Sequence, residues 1–246
     1  MAPPLTISIQ TFSDTVCPWS YIGMKNLDNA IEAYKEQHPD VEFSVTWNPF
    51  YLHPNAKISA YNKKKYYASR FGPSGAAAIC ERVNNSAAAL GLSINWDGIC
   101  GNTRDSHVLL LLAQKLQQQQ DEEGEEKEGG DSTAAHKARD NLLRDTQDTL
   151  FYGAFDRGQD ISDRGFLVKV ALEAGLCESE EELLAHLDNK EARDEADGLD
   201  RYAKEVVGIT AVPSYVVQGR YRVGGQQSSD VFLQLFDRIR AVEVGE

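Results

Sequence analysis

Four consecutive residues, Cys17, Pro18, Trp19 and Ser20, are the ones best placed in this sequence to do chemistry. Ahead of them, Leu5, Ile7 and Ile9 alternate with Thr6, Ser8 and Gln10, the period of a half-buried strand. Behind them, Ile22, Leu27, Ala30, Ile31 and Tyr34 recur at helical spacing. Cys17 therefore stands where a strand hands over to a helix. Pro18 suits the first helical turn, where its missing N–H would have had no partner. A sulfur at that place meets unpaired backbone N–H groups and the positive end of the helix dipole, and both favour the nucleophilic thiolate. Cys17-Pro18-Trp19-Ser20 has the spacing of a redox Cys-x-x-Cys motif with serine in the second position. The alternative is a small buried hydrophobe that happens to end a strand.

The elements that must hold this turn come in a definite order. Val41, Phe43, Val45 and Trp47 alternate with polar residues and give a second strand, ending at Asn48-Pro49-Phe50. With a helix as crossover, the two strands form a parallel β-α-β unit. Helical patterns then fill about 150 residues: Asn62 to Phe71, Gly75 to Leu90, Asn102 to Gln120, Ala134 to Phe155, a segment capped by Ser162, a capping box at Ser179-Glu-Glu-Glu182, and Lys190 to Val207. Strands return at Ser214–Val217 and Arg220–Val223, joined by Gln218-Gly219, and an amphipathic helix from Ser229 to Val242 closes the chain. Without its middle, this order is the thioredoxin-like topology. The expected fold is α/β: a discontinuous thioredoxin-like domain, residues 1–54 and 208–246, with a large all-helical domain, residues 55–207, inserted in it.

Net charge is −13, from 25 basic and 38 acidic residues, which argues against a nucleic-acid partner. Residues 121–131 carry seven acids against one lysine and follow a glutamine run. The stretch at about 117–133 is therefore expected to be a disordered acidic loop. No stretch is apolar enough to span a membrane, and the N-terminus lacks a signal-peptide pattern, so a reducing cytoplasm is the expected location. Cys17, Cys80, Cys100 and Cys177 are too scattered for a disulfide framework or metal cluster. His38, His53, His136 and His186 show no ligand spacing, and no metal is expected. Lys63, Lys64 and Lys65 beside Tyr61, Tyr66 and Tyr67 read as a solvated helix face, or as a patch for an anionic substrate.

Several stretches carry a resemblance to a known family. They are Asp14 to Gly23, Asn102 to His107, Leu150 to Phe155 with Gly158 to Asp163, and Gly208 to Ser214 with Gly219 to Tyr221. In that order the chain resembles the DsbA-like thioredoxin superfamily, and most closely its FrnE-like branch. The resemblance implies thiol–disulfide chemistry at Cys17 with Ser20, and a cis Val212–Pro213 peptide beside the sulfur. It implies a substrate groove drawing on Trp19, Phe50 and Val212, with Asn102 and His107 as groove wall; a structural histidine is the other reading of His107. Gln226 and Gln227 stand at the place where the kappa-class glutathione transferases, a related branch, hold glutathione; a polar turn before the last helix is the other reading of them. The branch usually has a second cysteine where this chain has Ser20. A hydroxyl cannot resolve a mixed disulfide, so an external thiol such as glutathione is the expected co-substrate. The expected activity is that of a monothiol oxidoreductase acting on a thiol or disulfide substrate. Related branches, the kappa-class glutathione transferases and 2-hydroxychromene-2-carboxylate isomerases, suggest instead a glutathione-dependent enzyme acting on a small electrophilic molecule. A catalytically silent binding protein is the third reading. No membrane partner is expected, and a homodimer is left open.

Overall fold

The computed structural model describes residues 5–56, 61–127 and 142–244. The chain divides into two compact units, one made of Met1–Leu52 with Asp200–Glu246, the other of His53–Leu199.

The first unit begins with β1 (Leu5–Ser13), α1 (Pro18–Gln37) and β2 (Val41–Pro49). β1 and β2 run parallel in the register Leu5↔Val41 to Ser13↔Pro49. The sheet is completed by β5 (Ser214–Val217) and β6 (Tyr221–Gly224), in the order β2-β1-β5-β6, with β5 antiparallel to both β1 and β6. The β5–β6 turn puts both Gln218 (φ 51°) and Gly219 (φ 66°) in the left-handed region, as the tightest hairpins require. Gln218 is not glycine, and its side chain offsets the strain: Oε1 accepts from Ser8 Oγ at 2.9 Å and Nε2 donates to the Thr6 carbonyl at 3.0 Å. The closing helix, Ser229–Val244, is labelled α8.

Alternation along the strands sorts their side chains onto two faces. Ile7, Ile9, Tyr215 and Val217 pack with Leu27, Ala30 and Tyr34 of α1 and with Phe232, Phe236 and Ile239 of α8. Phe12 and Val216, of opposite parity, join a second cluster with Cys17, Phe50, Ala203, Ile209 and Val212. The sulfur thus belongs to the core on the far side of the sheet from α8.

The second unit holds α2 (Lys63–Ala88), α3 (Arg104–Lys127), α4 (Leu142–Phe151), a π-helical turn (Tyr152–Asp156), α5 (Arg164–Glu173), α6 (Glu180–Asp188) and most of α7 (Lys190–Glu205). α2 is broken into two helices by the non-helical Gly72 (φ 72°, ψ 162°), followed by Pro73, the break expected between Phe71 and Gly75. The capping box at Ser179 is present, its hydroxyl accepting from Glu182 N. The next cap differs by one residue. Asp163 caps α5 through Gly165 N, while Ser162 Oγ is spent on Asp160.

Four expectations about this region need correction. The unit is not wholly helical, because β3 (Tyr61–Asn62) and β4 (Ile99–Cys100) form a short antiparallel ladder. The helical unit ends at Leu199 and not at 207, since Asp200 accepts from Tyr51 N at 2.7 Å and so belongs with the first unit. The acidic stretch is not a loop from residue 117. α3 continues to Lys127, as Gln and Glu, good helix formers, allow, and Gln117 Oε1 accepts from Leu143 N at 3.0 Å; residues 128–133 lie outside the described residues. Lys63, read as part of a solvated face, is 4% exposed.

Lys63 is inside because the π-helical turn leaves it a partner. A widened turn frees carbonyls that need donors. Arg157 N takes the Tyr152 carbonyl, Gln159 N that of Gly153, and Asn95 N that of Phe155. The Ala154 carbonyl is taken by Lys63 Nζ, which also lies 5.0 Å from the centre of the Phe155 ring. Burial pushes the Lys63 pKa down to about 8.

Candidate active site

Cys17 is the N-cap residue of α1, with extended backbone (φ −91°, ψ 114°) and Pro18 at the first helical position. Its N–H donates to the Asp14 carbonyl at 3.0 Å, and its own carbonyl accepts from Ser20 N at 3.0 Å. Asp14, fully buried, fastens this turn: one carboxylate oxygen accepts from Val16 N at 3.3 Å and the other from Leu52 N at 2.7 Å. The alternating strand, the tight turn and the proline-started helix thus fix the sulfur by backbone geometry.

Around the sulfur stand Phe12, Phe50, Ala203, Ile209, Val212 and Val216, with Trp19 and Val207 packed against them. Cys17 Sγ lies 3.8 Å from the Val212 carbonyl oxygen, to which the thiol donates. The Val212–Pro213 peptide is cis. The Pro213 carbonyl accepts from Gly225 N at 2.8 Å, which ties this turn to the end of β6. The structure thus brings Cys17, Trp19, Ser20, Phe50, Val212 and Pro213 into one neighbourhood. Gln226 and Gln227 follow Gly225, but their amide NH2 groups are turned onto the backbone carbonyls of Gln227 and Gly224.

Asn102 and His107 belong to the other unit. Asn102 joins chain segments there, with Nδ2 3.0 Å from the Ala56 carbonyl and Oδ1 accepting from Arg104 N at 2.9 Å. His107 is fully buried in α3. Cys80, Cys100 and Cys177 also lie in that unit, and all four cysteines are free.

The electrostatics differ from what the helix terminus alone suggests. Burial of the sulfur pushes the Cys17 pKa up to about 11, against the Ser20 N–H and hydroxyl and the Trp19 N–H, which favour thiolate; the Asp14 charge adds to the rise. Desolvation of the charged form outweighs the helix N-terminus here. Ser20 Oγ is buried and has no oxygen or nitrogen partner. Three further groups were invisible as site residues in the sequence. Lys204 lies 4.7 Å above the Phe50 ring, donates to the Tyr51 carbonyl and pairs with Asp200 at 2.7 Å. Tyr215 and Gly23 meet beneath Pro213: a Cβ at Gly23 would come within 2.4 Å of Tyr215 Oη and 2.9 Å of Pro213 Cγ. A glycine one turn below the motif and a tyrosine two residues past Pro213 were the available signals. Among the described residues no cluster of three His, Cys, Asp or Glu could hold a metal ion, and no helix is long and apolar enough to cross a membrane.

The chain is similar to several known proteins. The uncharacterised protein YwbO of Bacillus subtilis is 25% identical over 93% of this chain and 94% of its own length. A probable DsbA oxidoreductase from Streptomyces coelicolor superposes with a TM-score of 0.73 at 25% identity, covering 94% of this chain and 89% of the other. The cytosolic disulfide reductase DsbM of Pseudomonas aeruginosa, solved with glutathione, gives a TM-score of 0.60 over 95% of this chain and 99% of its own; at 14% identity that likeness is one of fold. The model of the DSBA-like thioredoxin domain matches residues 8–126 and 132–237. Since that match runs through both units, from β1 to α8, the chain belongs to the family of DSBA-like thioredoxin domains.

Proposed function

We propose that the protein is a monothiol thiol–disulfide oxidoreductase that uses Cys17 and an external thiol, glutathione in a cytoplasmic setting. One observation carries the reading. The unit made of residues 1–52 and 200–246 contains a single cysteine, at the N-cap of α1, and a buried hydroxyl, Ser20, stands where a second thiol would resolve the intermediate. The family, largely one of oxidoreductases, supports the class of chemistry.

The exchange balances without further reagents. The Cys17 thiolate attacks the glutathione sulfur of a mixed disulfide R–S–S–G, the new bond being Cys17–S–S–G, and RS⁻ leaves to take up a proton. A second glutathione thiolate attacks the same glutathione sulfur, releases oxidised glutathione and returns Cys17 as thiolate. Trp19, Phe50 and Val212 offer an apolar seat with one carbonyl acceptor beside the sulfur.

The test is turnover of a glutathionylated peptide with reduced glutathione, read together with mass spectrometry of the protein. We expect a Cys17–glutathione adduct in the natural protein and at least about a hundredfold lower turnover in Cys17→Ala. Ser20→Cys should add reduction of protein disulfides such as insulin. Glutathione binding without an adduct, with turnover retained in Cys17→Ala, would replace this reading by a glutathione-dependent transferase or isomerase.

A further inference from the structure

Beyond Phe50 the chain leaves the sheet, and side chains hold it instead. β2 ends at Pro49, and Phe50 N still donates to the Ser13 carbonyl at 3.0 Å. At Tyr51 both backbone groups meet side chains of one helix. Its N–H donates to Asp200 Oδ1 at 2.7 Å, and its carbonyl accepts from Lys204 Nζ at 2.9 Å. Asp200 and Lys204 stand one turn apart on α7 and pair with each other at 2.7 Å. Leu52 N is then taken by Asp14 at 2.7 Å. An ammonium has three N–H groups, and those of Lys204 have three destinations: the Asp200 carboxylate, the Tyr51 carbonyl and the face of the Phe50 ring, 4.7 Å from its centre.

What this segment carries is one wall of the site. Phe50, 5% exposed, belongs to the apolar shell that leaves Cys17 6% exposed and pushes its pKa up to about 11. Thiol–disulfide exchange needs access to the attacking sulfur, so part of the shell has to move. Phe12 and Val216 lie on paired strands, and Ala203 lies within α7. Phe50 is the member whose next residue is tied by two side chains that keep a partner when they let go. Lys204, released from the Tyr51 carbonyl, still has Asp200 on its own helix.

We propose that Asp200 and Lys204 are positioning residues that clasp the Phe50–Leu52 segment over Cys17, so that the closed clasp restrains the thiol and its release from Tyr51 admits the disulfide. The inference deepens the oxidoreductase reading and rests on Cys17 being its reacting thiol. The sign of the effect identifies it. Lys204 is a cation beside the shell of a sulfur that becomes an anion, and by charge alone its loss would make the thiolate harder to form. Through Phe50 the effect is the opposite. A loosened wall lets water reach the sulfur, the desolvation that opposes the thiolate falls, and Cys17 reacts faster.

The probe is iodoacetamide, which is uncharged, at limiting concentration and about pH 8, with labelling of each cysteine resolved by mass spectrometry. Lys204→Met should label at Cys17 about three- to tenfold faster than the natural protein. Cys100, 2% exposed and in the other unit, is the control for global opening and should label at an unchanged rate. Lys204→Arg, which can still donate to Asp200 and to the Tyr51 carbonyl, should restore most of the slow labelling. In a Phe50→Ala background, Lys204→Met should add nothing further. Should Lys204→Met fail to fold, Asp200→Asn combined with Lys204→Met leaves no lone buried charge and carries the same expectation. Unchanged or slower labelling at Cys17 overturns the inference. So does acceleration of Cys17 and Cys100 together, or a full effect of Lys204→Met without Phe50. Failure of the functional reading looks different: Cys17→Ala would retain turnover whatever the labelling shows.

Discussion

At the scale of single residues, the determining quantity is what burial does to charge. Cys17 and Lys63 are both inside and are shifted in ways that favour their neutral forms. A thiol that titrates near 9 in the unfolded chain and about 11 in the fold keeps its proton longer when folded. Stability from this source is complete below pH 9 and is lost as pH rises towards 11. Lys63 works the other way, because its pKa falls from 10.5 to about 8. Below pH 8 both states carry the ammonium and the burial penalty is full; between 8 and 10.5 the folded state has shed the proton first, and stability rises. Between pH 8 and 9 the stability read by urea unfolding should therefore change by about 1 kcal/mol more favourably in the natural protein than in Lys63→Met, where the raised thiols still titrate but the lysine does not. An equal change in that variant would mean that Lys63 is not the titrating group. In the same range, Cys17 labelling should climb about tenfold per pH unit, because only the thiolate reacts.

At the scale of elements, the contact between α1 and β5 depends on the missing side chain at Gly23. A methyl group there would lie 2.4 Å from Tyr215 Oη and 2.9 Å from Pro213 Cγ, closer than non-bonded atoms approach. Neither neighbour can yield easily, since Tyr215 is paired within the sheet and packed on Phe232. Gly23→Ala should lower stability by about 2 kcal/mol or more by overpacking, despite the better helix propensity of alanine. Tyr215→Phe removes one of the two clashing atoms and should recover part of the loss. Additive effects in thermal unfolding of the double variant would show that Tyr215 Oη and Gly23 are not in contact.

At the scale of the whole molecule, the helical unit is tied together by polar contacts as well as by its core. Asp105 at the start of α3 accepts from Arg164 of α5 at 2.8 Å and from Arg193 of α7 at 3.0 Å. Arg164 also reaches Asp188 at the end of α6, 2.8 Å away, and Arg193 Nε donates to the Leu187 carbonyl. Four helices are thus joined through two carboxylates and two guanidiniums, with Asp105 shared by both arginines, a geometry better than that of an ordinary surface pair. Both arginines are about a third exposed, so water weakens the network. Asp105→Asn should cost about 1–2 kcal/mol in urea unfolding. A change within error would show that the pairs are ornamental.

The sequence by itself determined what depends on neighbours along the chain. The strand–Cys-Pro–helix turn, the alternation that sends Ile7 and Ile9 to one side, the break at Gly72-Pro73, the Ser179 cap and the Gln218-Gly219 hairpin are all local, and each was legible. The cis peptide at Pro213 was legible only through resemblance to a family. Tertiary structure decided whatever depends on distant partners. Lys63 looked solvated because nothing nearby in sequence announces a free carbonyl 91 residues away at Ala154. α3 runs through a glutamine-rich stretch that composition marked as loop, with Gln117 reaching Leu143 N. The helix terminus argues for a thiolate at Cys17, but Phe12, Phe50, Ile209 and Val212 converge on the sulfur from across the unit, and desolvation reverses the sign. Tyr215 and Gly23 face each other only because β5 lies beside β1 beneath α1. Spacing can say where a helix begins; only the fold brings together the groups that set the charge of what stands there.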